Sequence, residues 1–317
     1  MRRLLPERVV SVVVFVILCF MSAAYGQGRS DYIGSDMCKQ CHEDMYDNYV
    51  KSMHGKKYVS GSPARREGCE SCHGPGSIHA QKAGEKGTIL SFGKPNNAKG
   101  KSAQCMACHG DSKHLTFWNM SRHNTVGVSC DLCHTIHKGP KTPLTSTITP
   151  AAYQRYLLKM PVPELCYGCH QDVRSQTMRQ SHHPVREGMM ACYDCHSVHG
   201  SFGPKMMKSD TANELCYSCH AEKRGPFMFE HPPVAENCMN CHVAHGSNHT
   251  PLLVRKTPQL CQNCHDASQH PGRPYTSFET FKGASPSNRM FSRNCRLCHS
   301  TVHGSTSPTS RGEHFLR

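Results

Sequence analysis

Apolar residues gather at one end of this chain. Val9 to Met21 is an almost unbroken hydrophobic run, and no later segment approaches it. Beyond it, hydrophobic positions are thin and scattered among the chain's 25 glycines and all but one of its 20 prolines, with a single tryptophan. That pattern predicts little or no β-sheet, a few short α-helices and much irregular backbone.

The leading run carries its own meaning. Met1-Arg2-Arg3 opens it, and Ser22, Ala23, Ala24 and Gly26 follow it. This is the layout of a secretory signal peptide, residues 1–26, cleaved after Gly26 with Ala24 as the rival site. The run is too short for a comfortable membrane span. Cys19 is no lipoprotein signal, since bulky Leu18 precedes it where a small residue is wanted. The mature chain is therefore expected in the periplasm of a bacterium.

The other twenty of the 21 cysteines form ten copies of Cys-x-x-Cys-His. The pairs are Cys38 and Cys41, Cys69 and Cys72, Cys105 and Cys108, Cys130 and Cys133, and Cys166 and Cys169. They continue with Cys192 and Cys195, Cys216 and Cys219, Cys238 and Cys241, Cys261 and Cys264, and Cys295 and Cys298. The attached histidines are His42, His73, His109, His134, His170, His196, His220, His242, His265 and His299. In such a motif two thiols add to the vinyl groups of haem and the histidine ligates the iron from the proximal side. A disulfide framework gives no reason for a histidine after every pair. Ten Cys-Cys-His triplets do not divide into tetrahedral zinc sets. A thioredoxin-type motif occurs once per domain rather than ten times. The expected cofactors are ten covalently attached c-type haems.

Fourteen histidines remain outside the motifs, against ten irons that need a sixth ligand. His54, His123, His183, His231 and His270 recur after the first motif of successive two-motif units; His79, His137, His199, His245 and His303 recur after the second. These ten are the expected distal ligands, giving bis-histidine haems throughout. His114, His182, His249 and His314 are left as surface residues. His183 is preferred to His182 because it precedes Pro184 as His231 precedes Pro232. His199 follows His196 by three residues, a reach of at most about 10 Å, too short to round a porphyrin edge. His137, His199 and His245 are therefore expected to serve neighbouring haems. With histidine sufficient, the 16 methionines read as filler.

The repeats run 38–79, 105–137, 166–199, 216–245 and 261–303. About 290 mature residues are too few to bury ten porphyrins in layered domains, so the haems must form the core of an elongated object. The formal charge of +14 invites a nucleic-acid reading. Ten haems bring twenty propionates, so the lysines and arginines read instead as counter-ions, and no nucleic-acid partner is expected.

The stretch from Cys216 to Pro226, continuing through Glu230-His231 to Glu236-Asn237-Cys238, resembles the MtrA/MtoA/PioA/DmsE family of decahaem cytochromes. So do Cys69 to Pro75, Pro258 to Gln262, Cys298-His299 and Val302 to Ser305. The resemblance implies the same ten distal ligands and two fused pentahaem modules, residues 27–183 and 184–317. It also implies an outer-membrane β-barrel porin as partner, with periplasmic or inner-membrane cytochromes on one side. On the other would stand an extracellular multihaem cytochrome or iron. The lumen of a closed barrel tolerates irregular polar backbone that hydrocarbon excludes. The expected function is electron conduction across the outer membrane in either direction, from ferrous iron or towards ferric minerals. A soluble shuttle to a terminal reductase, such as a DMSO reductase, is the alternative. A haem enzyme would need an open iron position, and no catalytic residue is expected.

Overall fold

The computed structural model describes residues 31–93, 97–137, 156–265 and 294–316. The expected signal peptide and His270 lie outside them. The chain forms short helices joined by turns, and its β-structure among the described residues is limited to isolated bridges. No described helix is long and apolar enough to cross a membrane.

Local chemistry explains the few regular elements. Helix α1, Glu43–Lys51, starts with Glu43 and Asp44 and ends with Lys51, each charge matched to the helix macrodipole. Ser52 stops it: its hydroxyl donates to the Tyr49 carbonyl at 2.7 Å and accepts from the Gly55 amide at 3.3 Å. Helix α2, Ala98–His109, carries a whole attachment motif in its last turns. Helix α3, Gln171–Thr177, is pinned by a buried 2.6 Å hydrogen bond between the Tyr167 and Thr177 hydroxyls. Helix α4, Ala212–Tyr217, is capped by Thr211, whose hydroxyl accepts from the Glu214 amide at 3.1 Å.

The chain divides into two compact units. One comprises residues up to Ala107 together with Cys130–Gly139; the other comprises Cys108–Ser129 and the chain from Pro140 onward. Among the described residues the large buried apolar side chains are Tyr49, Trp118, Tyr167 and Leu253. Buried polar and charged groups outnumber them, Glu70 and Lys101 included. So little buried apolar surface cannot offset the entropy of ordering the chain.

The second unit repeats itself in detail. Ser181 and Ser247 exchange backbone hydrogen bonds at 3.0 and 2.7 Å, as Phe229 and Ser305 do at 2.9 Å each. Each bridge joins the residue two before one distal-candidate histidine (His183, His231) to the residue two after another (His245, His303). A second kind of bridge folds the chain after a motif back onto it, His196 with Met207 and His242 with Leu253.

Candidate haem sites

Each motif is one helical turn. The amide of the motif histidine donates to the carbonyl of the first cysteine, at 2.9 Å for His42 to Cys38, 2.8 Å for His220 to Cys216 and 2.9 Å for His299 to Cys295. Residues i, i+3 and i+4 share a helix face. Both thiols and the imidazole are thereby presented together.

Backbone carbonyls fix the ring tautomers. Nδ1 of His73 donates to the Leu90 carbonyl at 2.7 Å, that of His196 to Lys205 at 3.1 Å, that of His242 to Pro251 at 3.0 Å and that of His299 to His314 at 2.7 Å. A carbonyl only accepts, so Nδ1 carries the proton and Nε2 keeps its lone pair for a metal. Distal candidates are held likewise: His123 Nδ1 donates to the Val198 carbonyl at 2.9 Å and His183 Nδ1 to Ala244 at 2.7 Å. These carbonyls belong to the residues just before His199 and His245. A backbone carbonyl has no sequence identity, so only the recurring His-Gly at 199–200, 245–246 and 303–304 could have hinted at such clamps.

The rings then meet in pairs. His42 faces His79 at 6.3 Å between centroids, His73 faces His137 at 6.1 Å, and His123 faces His170 at 6.2 Å. His183 faces His220 at 6.4 Å, and His196–His245, His231–His265 and His242–His303 each stand at 6.2 Å. Two imidazoles on opposite sides of one metal, with bonds of about 2 Å, place their centroids about 6.3 Å apart. In every pair one ring follows a Cys-x-x-Cys and the other is a distal candidate. The residues present fit bis-histidine haem c. His182 stands apart: Nδ1 donates to the Arg179 carbonyl at 2.6 Å and Nε2 lies 3.1 Å from the Glu187 carboxylate, leaving no nitrogen for iron. His54, His109, His134 and His199 lie among the described residues, with Trp118 edge-on to His199 at 6.3 Å.

Electrostatics favour the neutral imidazole. Burial, first among the causes, lowers the pKa of His73, His231, His242 and His245, and takes His303 from 6.5 down to about 4, with Lys223 and His242 adding to it. The thiols meet two by two within each unit of the repeat. Cys38 and Cys69 share a hydrogen bond that raises the first and lowers the second to about 6. Cys105 and Cys130 behave the same way, Cys130 being lowered to about 6. Cys192 is lowered by its bond from Cys166. Burial and then the neighbouring Cys238 take Cys216 up to about 11, and burial with Cys295 does so for Cys261. These values belong to the free polypeptide; a thioether has no proton to lose. The contacts set the first cysteines of paired motifs side by side.

Comparison with known proteins agrees with this chemistry. Residues 123–175, 182–225 and 231–270 match the family described as Doubled CXXCH motif, and residues 37–67 match Cytochrome c554 and c-prime. Each doubled match joins the second motif of one unit to the first of the next, a phase offset by one motif from the repeat read in the sequence. The chain is 34% identical over 293 residues to Multiheme cytochrome MtrA of Shewanella baltica, covering 90% of this chain and 83% of that protein. It is 26% identical over 224 residues to C-type polyheme cytochrome OmcB of Geobacter sulfurreducens, covering 62% of this chain and 26% of that protein.

Proposed function

Because the chain belongs to the MtrA family of multihaem c-type cytochromes, which are electron-transfer proteins, we propose that it is a decahaem conduit carrying electrons across the outer membrane. Haem iron supplies reversible one-electron exchange between its ferric and ferrous states. The ten motif histidines serve as proximal ligands, and His54, His79, His123, His137, His183, His199, His231, His245, His270 and His303 as distal ones. The observation that carries this reading is the set of facing imidazoles 6.1 to 6.4 Å apart. A metal held on both sides has no open position for substrate, which favours electron transfer over catalysis.

The protein is exported by its signal peptide and works on the periplasmic side of the outer membrane, sheathed by a β-barrel porin. Periplasmic or inner-membrane cytochromes meet it at one end and an extracellular cytochrome or iron at the other. Donor and acceptor set the sense of flow, as ferrous iron oxidation or ferric mineral reduction. The ten haems fall into two pentahaem modules, residues 27–183 and 184–317; the alternative division is five two-haem repeats, 38–79, 105–137, 166–199, 216–245 and 261–303, which cut the chain differently. The side-by-side first cysteines support the repeat.

The test is reconstitution of the holoprotein with its porin in liposomes that enclose an oxidant. An external reductant should reduce the sealed acceptor only when both proteins are present. Equal leakage with the porin alone would overturn the proposal.

A further inference from the structure

Glu70 is among the most deeply buried ionisable side chains described, with 2% of its surface exposed. It sits inside the second motif, between Cys69 and Cys72, where a solvated residue would be the default. The loop Gly74-Pro75-Gly76 and the segment at residues 31–34 fold onto its carboxylate. That carboxylate accepts from the amides of Ile33 at 3.0 Å, Gly34 at 2.8 Å and Gly76 at 2.8 Å. A Cβ at Gly76 would stand 3.1 Å from Glu70 Oε1, so glycine is what allows the close approach. Ile33 and Gly34 lead directly into the helix Ser35–Lys39 that carries Cys38. One carboxylate thus adjoins two attachment points, covalently at Cys69 and by hydrogen bonds just before Cys38.

The contrast with Asp131 sharpens its meaning. Asp131 fills the same place in the fourth motif and accepts from the Gly93 amide at 2.6 Å, and the buried Lys101 ammonium lies 3.8 Å away. No lysine or arginine forms such an ion pair with Glu70 among the described residues. The corresponding positions in the later second motifs are Tyr193, Met239 and Arg296, none of them acidic.

We propose that the buried Glu70 carboxylate, held by backbone amides and, among the described residues, not by a lysine or arginine, sets the potential of the haem pair on Cys38–His42 and Cys69–His73, holding it at the reducing end of the molecule's range. The inference rests on the haem assignment above. Reduction of one haem takes one electron from the external donor, converts Fe(III) to Fe(II) and makes or breaks no bond. It removes one positive charge beside the carboxylate. A buried anion stabilises the charge that is lost, and low dielectric strengthens the effect. Glu70 is a positioning and tuning residue, since it acts through the haems rather than on a substrate.

The test is a spectroelectrochemical titration of full-length holoprotein, with haem content measured beside it. In E70Q the most reducing pair of electron equivalents should become about tenfold easier to reduce, about 59 mV for a one-electron couple. E70D keeps the charge and should keep the low potentials. In K101M the Asp131 carboxylate loses its cation, so further equivalents should move to lower potential. Unmoved titrations of fully loaded E70Q and K101M would overturn the inference, as would E70D shifting as far as E70Q. Wild-type protein lacking haem at Cys38 to Cys72 would instead overturn the assignment beneath it.

Discussion

The ring of His137 lies 6.1 Å from that of His73, yet in sequence it follows His134 by three residues. His245 does the same, facing His196 rather than the nearby His242. His303 likewise faces His242. Histidines after second motifs therefore reach back to an earlier motif. Those after first motifs reach forward, His123 to His170, His183 to His220 and His231 to His265. Apart from His42 and His79, which share the first repeat, each of these ring pairs joins two different repeats.

The interleaving has a separable consequence. In H245A the iron left with one protein ligand should be that on Cys192 and Cys195, not the one on Cys238 and Cys241. EPR should show one low-spin haem replaced by one high-spin haem. Removing the haem of the sixth motif with C192A/C195A should abolish the high-spin signal of H245A, while C238A/C241A should leave it. The opposite pattern would refute the pairing.

Adjacent histidines should differ sharply. His183 donates Nδ1 to the Ala244 carbonyl and turns its ring to His220. His182 spends both nitrogens on Arg179 and Glu187. H182A should therefore bind no carbon monoxide in the ferrous state, whereas H183A should bind one equivalent at the haem of the seventh motif.

The sequence made the chemistry legible because covalent attachment demands fixed residues at fixed spacing. Cys-x-x-Cys-His names its own haem without help from the fold. The supply of histidines, counted against ten motifs, singles out the candidate distal set as well. Which iron each serves is a tertiary matter, decided by bridges such as Ser181 with Ser247 that no residue type encodes. The tether of His199 to His196 excludes one partner without naming another. Glu70 in the second motif looks like a solvated acid until Ile33, Gly34 and Gly76 close over it.

Gly200 shows how tightly these connections are held. Its φ is +112°, and a Cβ there would run into the carbonyl oxygen of Phe117. The same turn supplies the Val198 carbonyl that orients His123. G200A should cost roughly 1–3 kcal/mol in unfolding free energy. It should also loosen the ligation of the His170 haem, seen as a broadened low-spin EPR signal. An Ala substitution without either effect would show that the turn has room to relax.

Acid should attack the ligand set in a defined window. His303 has its pKa lowered from 6.5 to about 4, chiefly by burial. His73, His231, His242 and His245 are lowered in the same sense. Between about 4 and 6.5 an unfolded His303 imidazole holds more proton than the folded one, so stability rises with pH there. Its contribution is complete above about 6.5 and is lost as pH falls through about 4, and the other four act in the same sense. Iron adds to the effect in the same direction, because a proton competes for the same Nε2 lone pair. Guanidinium unfolding followed by the Soret band should therefore give midpoints that decline from pH 7 to pH 4. H303A should show a shallower decline than the unsubstituted protein. A midpoint flat across that interval would mean the imidazoles are not buried in their neutral form.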